Sequence, residues 1–370
     1  MAPKTPIPVT EPFLPPLEEF VEYLRGIWER NWLTNQGPLV RELEVKIQEY
    51  HQVDRPVHCV ANGGLGLQIG MKALGVGGEV ITTPFTYVAT ASCPLWEGCS
   101  LVFADIEPTY LTLDPEAVEA AITPRTEAIL ATHVFGNPCE VEALQSIADR
   151  HGLALVYDAS HAFGVRYQDQ SILAYGDLSV VSTHATKVFQ TVEGGFVVAK
   201  DPAVAEKVEW MRRYGHKGFE DYHGVGINGK LSEVHAAMGL AQLPHLSKII
   251  QRRREIASTY RSAIESINGL EPVPLRDLES ANHAYFPVLV GDDCPLSSDD
   301  LYDQLRANGI NGRRYFYPLI SDFPMYRGLP SAQSTDLPVA ADAAERVICL
   351  PIYPELHKAD QVRIIEQLQP

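Results

Sequence analysis

Residues 153–199 read LALVYDASHAFGVRYQDQSILAYGDLSVVSTHATKVFQTVEGGFVVA, and the apolar runs inside this stretch decide the fold. Leu153–Tyr157, Leu178–Ser182 and Gly195–Ala199 are too short for helices, rich in branched residues and bounded by turn formers, which predicts strands. Because they are apolar on both faces, they suit a sheet covered by helices on each side. Working outward, Leu65–Leu74 predicts a helix stopped at Gly75, Glu79–Thr83 a strand, Val88–Glu97 a helix, and Leu101–Ala104 and Ala128–His133 further strands. Asp114-Pro115 opens a helix through Ile122, with the acid as N-cap and proline at the first helical position. From about residue 64 to 200 the alternation is that of an α/β protein with a mostly parallel central sheet flanked by helices.

In such sheets the active site gathers at the carboxyl ends of strands, and Asp158 and Ser182 both stand at strand ends. His161, His184 and Lys187 follow within the same stretch. A lysine to hold an aldehyde, an acid to keep a pyridine nitrogen protonated, and hydroxyl and glycine groups for a phosphate are the parts of a pyridoxal-phosphate (PLP) site. Singly, each has a plainer explanation: a strand-end Asp caps the next helix, and a lone Lys is a solvated charge. Asn62-Gly63-Gly64 precedes a helix, where free N–H groups and the helix dipole favour a phosphate, although alone it would be a turn. The glycines of ALGVGGE follow a helix and precede a strand, the reverse of a dinucleotide-binding loop.

The chain has 370 residues, 45% of them hydrophobic, enough for a large core and two domains. Its formal charge of −17 excludes nucleic acid as a partner, because a phosphate backbone needs a basic face. No apolar run is long enough to span a bilayer, and the N-terminal MAPKTPIPVTEPFLPP is proline-rich without a signal core, so no membrane partner and a cytoplasmic location are expected. The six cysteines are scattered without a CxxC pair, which suits reduced core thiols and no metal site. Beyond Pro202 a helical stretch runs to about Ser266, broken by the glycine-rich GFEDYHGVGINGK. After Pro272, HAYFPVLV and VICLPIYP predict strands, Ser297–Ala307 a serine-capped helix and Ala359–Leu368 a closing helix. The expected division is a large cofactor-binding domain over 1–250 and a small α+β domain over 251–370.

The blocks TPIPVTEPFLPP, WLTNQGPLVRELE, GGEVITTPFTYVATASCPLWEG, TPRTEAILATHVFG, DASHAFG, STHATKVFQTVEGG, GINGKLSEVHAAMGLAQL and VICLPIYPEL cover nearly the whole chain. In this order they resemble the DegT/StrS family of PLP-dependent sugar aminotransferases. The resemblance implies the fold-type I, aspartate aminotransferase-like fold, with PLP alternating with its amine form, PMP. It implies that Lys187 carries the cofactor, that Asp158 pairs with the ring nitrogen, and that Tyr87 stacks on the ring. Ser182 and the backbone of Gly63, Gly64 and Leu65 would take the phosphate, and His161 would sit near the ring oxygen. Asn228, in GINGK, would reach the phosphate of the neighbouring subunit, which makes a homodimer with shared active sites. His184, Arg313, Arg314, Tyr315 and Tyr317 are substrate candidates, since guanidinium groups chelate phosphates; a solvated turn with packed aromatics is the plain alternative for the Arg-Tyr run.

The implied reaction is amination of a nucleotide-linked keto-6-deoxyhexose such as dTDP-4-keto-6-deoxyglucose. L-glutamate would be the donor, 2-oxoglutarate its product, and a surface polysaccharide such as the lipopolysaccharide O-antigen, or another glycoconjugate, the destination. Alternatives are amination at C3, a UDP- or GDP-linked sugar, a PLP-dependent sugar dehydratase, or a cofactor-binding regulator without turnover. Lys187 speaks against the dehydratase, and an acidic chain without a basic helix speaks against a DNA-binding regulator. The sequence also departs from the family. Ala61 and Gly64 replace a serine and a threonine, removing two hydroxyls and lowering the expected cofactor affinity. Thr183 replaces an aromatic residue, and Pro318-Leu319-Ile320 lacks the histidine of the usual PLH.

Overall fold

The computed structural model describes residues 6–369. In chain order the strands are β1 (Val57–Val60), β2 (Glu79–Thr82), β3 (Ser100–Phe103), β4 (Thr126–Thr132), β5 (Ala154–Asp158), the short β6 (Arg166–Tyr167) and β7 (Gln170–Ser171), β8 (Leu178–Ser182), β9 (Gly195–Ala199), β10 (Leu270–Pro272), β11 (Pro287–Val290) and β12 (Val347–Cys349). The helices are α1 (Leu17–Arg30), α2 (Pro38–His51), α3 (Gly63–Leu74), α4 (Ala89–Trp96), α5 (Pro115–Ala121), α6 (Val141–His151), α7 (Pro202–Met211), α8 (Glu233–Gln242), α9 (Leu246–Ile264), α10 (Ser298–Ala307), α11 (Pro338–Arg346) and α12 (Lys358–Glu366).

Seven strands form the central sheet in the order β1-β9-β8-β5-β4-β2-β3. The neighbours from β8 through β3 are parallel, and β9 runs antiparallel to both β8 and β1. Alternate residues of a strand point to opposite faces, so each strand feeds two cores. Leu155 and Tyr157 join Ile129, Ala131 and Phe196 on one side, with α2, α6 and α8. Val156 joins Leu130, Val180 and Val197 on the other, with α3, α4 and α7. Each large aliphatic side chain removed from water in this way contributes roughly 1.5–3 kcal/mol. Both faces are therefore shielded, as a largely parallel sheet requires.

Local signals place the helix starts. Asn62 caps α3 by accepting the Leu65 N–H, Asp114 caps α5 ahead of Pro115, and Ser297 caps α10. Gly75 ends α3 in the left-handed region at φ 84°, a conformation that costs glycine nothing.

A second sheet, β10-β11-β12, is antiparallel and packs with α10, α12 and the later part of α9 around Tyr260, Leu305 and Ile348. Helix α9 belongs to both assemblies: Leu246 and Ile249 lie in the large core, Ile256 and Tyr260 in the small one. Helix α11 lies late in the chain yet returns its Ala340, Ala343 and Ala344 to the central sheet's second core. There the Asp105 carboxylate accepts the N–H groups of Val339 and Ala340.

Two expected strands are shorter than their apolar runs suggest. Of HAYFPVLV only Pro287–Val290 pairs, because Asn282 and the chain after it are drawn toward the His161 and Phe163 carbonyls. Of VICLPIYP only Val347–Cys349 pairs, since Leu350 and Ile352 bond to Phe286 and Val9 instead. Among the described residues no helix is long and apolar enough to cross a membrane.

Candidate active site

Asp158 ends β5 and, by strand alternation, turns to the face opposite Tyr157, toward α4. It is only 6% exposed. Its Oδ2 accepts the Thr90 hydroxyl at 2.8 Å and its Oδ1 accepts the Ser160 N–H at 3.1 Å, so the carboxylate is held at both ends. The nearby Cys93 thiol is pushed up to about 12 by burial and then by the Asp158 charge, which keeps it protonated.

Lys187 rides the connection between β8 and β9. That connection is tied by a 2.6 Å Thr183–Thr191 hydroxyl bond and by backbone bonds from Ala185 to Val192 and from Thr191 to Thr183. The lysine borders a small cavity with Ser160, His161, Asn282 and Tyr285. Burial lowers the pKa of its amine, while the charges of Asp158, Tyr315 and Tyr87 pull the other way. Asp158, Tyr315 and Tyr87 thus each lie within electrostatic reach of Lys187.

His161 is buried between an edge-on Tyr285, 4.7 Å away, and a parallel Phe316, 6.0 Å away. Its pKa lies well below the usual value, first from burial and then from the Lys187 charge, so the ring is neutral. Its Nδ1 accepts the Phe135 N–H at 3.3 Å, which leaves the ring proton on Nε2.

The start of α3 meets the end of β8. A Cβ on Gly63 would lie 3.0 Å from Ser182 Cβ, and one on Gly195 would lie 2.8 Å from the Gly63 nitrogen, so glycine permits this approach. Leu65 gives its N–H to Asn62, whereas among the described residues no acceptor takes the N–H of Gly63 or Gly64. Ser182 Oγ accepts the His184 N–H, leaving its own proton to donate. Two amides and a hydroxyl at a helix N-terminus fit a phosphate, with Leu65 supplying no amide to it. Together with a desolvated lysine and a held carboxylate, this donor set fits PLP.

A larger cavity of about 460 Å³ opens beside Thr86 and Tyr87 and is walled by Arg313, Arg314, Tyr315 and Tyr317. The structure thus brings the sequence's aromatic and guanidinium candidates to one place. They are not equivalent: Arg314 is paired with Asp299 and lies over the Tyr302 and Tyr317 rings, at 5.0 and 5.2 Å. Arg313 lies over Tyr315 and has no carboxylate partner among the described residues.

Two candidates lie apart. His184 lines neither cavity; it bonds Thr186 and faces Glu193 at 3.6 Å. Asn228 is exposed, its side chain accepting from Lys230 at 2.6 Å. Ile320, where the family has histidine, is buried and donates its N–H to Pro84. Residues the sequence did not single out are Thr90, Ser160 and Tyr285. Thr90 sat inside a predicted helix and Tyr285 inside a predicted strand, and nothing local marks either one.

Residues 17–369 match the model of the DegT/DnrJ/EryC1/StrS aminotransferase family. The chain is similar to the dTDP-4-amino-4,6-dideoxy-D-glucose transaminase of Shigella dysenteriae, with 44% identity over 351 residues and 95% of each chain covered. It is 41% identical over 363 residues to the transaminase of the same name from Escherichia coli, covering 98% of each. Among solved structures it resembles DesI in the presence of its TDP-sugar product, with a TM-score of 0.92 and 34% identity, over 99% of this chain and 92% of that one.

Proposed function

The chain belongs to the DegT/DnrJ/EryC1/StrS aminotransferase family, a PLP-dependent sugar aminotransferase, and on that premise we propose that it aminates dTDP-4-keto-6-deoxyglucose at C4 with L-glutamate as donor. The observation that carries the reading is the joining of two sites. A desolvated lysine within reach of a held acid adjoins, across Tyr315 and Tyr87, a cavity whose Arg313 guanidinium has no carboxylate partner among the described residues. The transaminase relatives supply the sugar. The same reading places the product in surface polysaccharide synthesis and takes the working unit as a homodimer.

When bound, PLP supplies the electron sink that makes a carbon-bound hydrogen of the substrate acidic. The protein's own residues do the rest. Burial favours the neutral form of Lys187 Nζ, which can therefore take a proton from substrate carbon and return it. With the cofactor bound, the Asp158 carboxylate, held by Thr90 and Ser160, would keep a proton on the ring nitrogen, and neutral His161, its Nδ1 taken by the Phe135 N–H, would have its Nε2 proton to give to the ring oxygen. Ser182, Gly63 and Gly64 would hold the phosphate, and Tyr87 would lie against the ring. Arg313 receives the sugar's diphosphate, because a guanidinium without a carboxylate partner can give both donors to phosphate oxygens. The Phe135 and Phe316 rings, stacked 6.0 Å apart, help to exclude water from the site.

Product analysis with a panel of dTDP-, UDP- and GDP-linked keto sugars tests the assignment. Conversion of dTDP-4-keto-6-deoxyglucose to the C4 amine, with glutamate consumed in equal amount, is expected. Preference for a 3-keto sugar or another nucleotide would replace it.

A further inference from the structure

We propose that Thr90, backed by Thr86 and Thr132, is a positioning residue that aims the Asp158 carboxylate at the cofactor's ring nitrogen. The inference rests on the reading above that Asp158 faces that nitrogen.

An ionised carboxylate can only accept, so the single hydroxyl proton of Thr90 is given to Asp158 Oδ2. The lone pairs of Thr90 then face Thr86, four residues earlier in the bend ahead of α4, whose Oγ1 lies 3.2 Å away. Thr86 in turn donates its one proton to Thr132 Oγ1 at 3.2 Å, and reaches Thr90 only as the weaker arm of a three-centre bond. Thr132 ends β4 and is the register partner of Asp158 on β5. The three hydroxyls therefore close a bridge from the acid through the start of α4 to the adjacent strand. All three threonines are at most 2% exposed, so water does not replace a lost partner.

The bridge does something that the Ser160 N–H does not. A backbone donor fixes Oδ1, but the carboxylate could still swing about it, and the Thr90 bond to Oδ2 removes that freedom. The other groups near the acid cannot substitute, since Lys187 is committed to chemistry and the Cys93 thiol stays protonated as a weak donor. Thr86 also lines the larger cavity beside Tyr87, so the far end of the bridge lies in the wall of the proposed sugar site.

The test is a double-mutant cycle on Thr90→Val and Asp158→Asn, with Thr90→Ser as the conservative variant. Three quantities are read: the PLP dissociation constant of each chain, the absorbance spectrum of the bound cofactor, and the rate of the glutamate half-reaction. Thr90→Val is expected to weaken PLP binding and slow the half-reaction, each by about tenfold, as losing a hydrogen bond to a charged group does. Its spectrum should move toward that of Asp158→Asn, and KM for the keto sugar should stay put. Thr90→Ser should return to within about threefold of the parent, because only the hydroxyl matters. In the Asp158→Asn background, Thr90→Val should change either constant by less than about twofold. Equal losses in both backgrounds would overturn the positioning role, since Thr90 would then act without the acid. A parent-like Asp158→Asn chain would instead sink the reading of Asp158 itself. Should Thr90→Val fail to fold, Thr86→Val breaks the bridge one step earlier and enters the same cycle, read by PLP binding, the cofactor spectrum and the glutamate half-reaction alone, because Thr86 also lines the sugar cavity.

Discussion

Lys187 must be neutral to attack and to remove a proton, yet it sits within reach of Asp158, whose charge favours the protonated amine; burial is the stronger influence and lowers its pKa. Replacing Lys187 by Ala should abolish turnover and leave PLP bound without a covalent link. Borohydride treatment of the parent should fix the cofactor on the peptide containing Lys187, and label on another lysine would refute the assignment. Asp158→Asn should keep PLP but slow transamination by about a hundredfold or more, because the ring loses the charge that stabilises its protonated form. A near-parent rate would hand the role to a different acid. Buried histidines set the acid limit of stability. His133, stacked on Tyr157 at 4.5 Å, has its pKa lowered by burial from 6.5 to about 3. The native state keeps it neutral while the unfolded chain takes up a proton below 6.5, so its contribution is intact above that pH and is lost as pH falls toward 3. Between pH 6.5 and 5 one such group costs about 2 kcal/mol by linkage. Denaturant melts at those two pH values should show a smaller drop for His133→Gln than for the parent, and an unchanged drop would remove His133 from the account.

The junction of α3, β8 and β9 carries the phosphate donors, and it depends on backbones coming closer than side chains allow. On Gly195 a Cβ would sit 2.8 Å from both the Gly63 nitrogen and the Val181 carbonyl oxygen, neither of which can turn away. Gly195→Ala should therefore lower stability by roughly 1–3 kcal/mol and weaken PLP retention together, the cost of overpacking a tight contact. Calorimetry with and without PLP reads both; a substitution that cost nothing would mean that the junction is looser than its distances. Most of this region was legible in the sequence, since β8 and β9 match their apolar runs residue for residue and α3 announces itself through Asn62 and Gly75. The direction of β9 was not legible, because an apolar run is the same read parallel or antiparallel. Strand β1 escaped too: VHCV is four residues without a period long enough to distinguish it from a loop, and only pairing with β9 makes it a strand. At the site, charged and glycine residues were legible because few environments suit them. Thr90 and Tyr285 were not, since a threonine at a helix start and a tyrosine in an apolar run are ordinary core residues until the fold sets Asp158 and His161 beside them.

At the scale of the molecule the unanswered position is Asn228, which the monomer leaves exposed and bonded only to Lys230. The base of its loop is not loose. Arg212 is buried against Glu44, Glu209 and the Cys59 carbonyl, and it receives the Gly229 N–H on its own carbonyl, while Gly229 accepts the Ala61 N–H at 2.8 Å. From this anchored base the loop projects Phe219 and Val225, 101% and 88% exposed, an expense in apolar surface that a monomer would have no reason to bear. A second copy of the chain, as in the proposed homodimer, would answer both features, covering the apolar tip and receiving Asn228 at the phosphate site formed by Ser182, Gly63 and Gly64. If so, Asn228→Asp should damage the neighbour's site, since a carboxylate there repels the phosphate, and Lys187→Ala should kill only its own. Each variant alone would be nearly inactive. Refolded together in equal amounts they form mixed dimers in which one site has an intact lysine from one chain and an intact asparagine from the other. About a quarter of the parent activity should then return, half the dimers being mixed and each of those holding one good site of two. A site built within one chain predicts no such recovery, so a mixture no more active than its separate parts would remove the shared site, and a fully active monomer in the ultracentrifuge would remove the dimer with it.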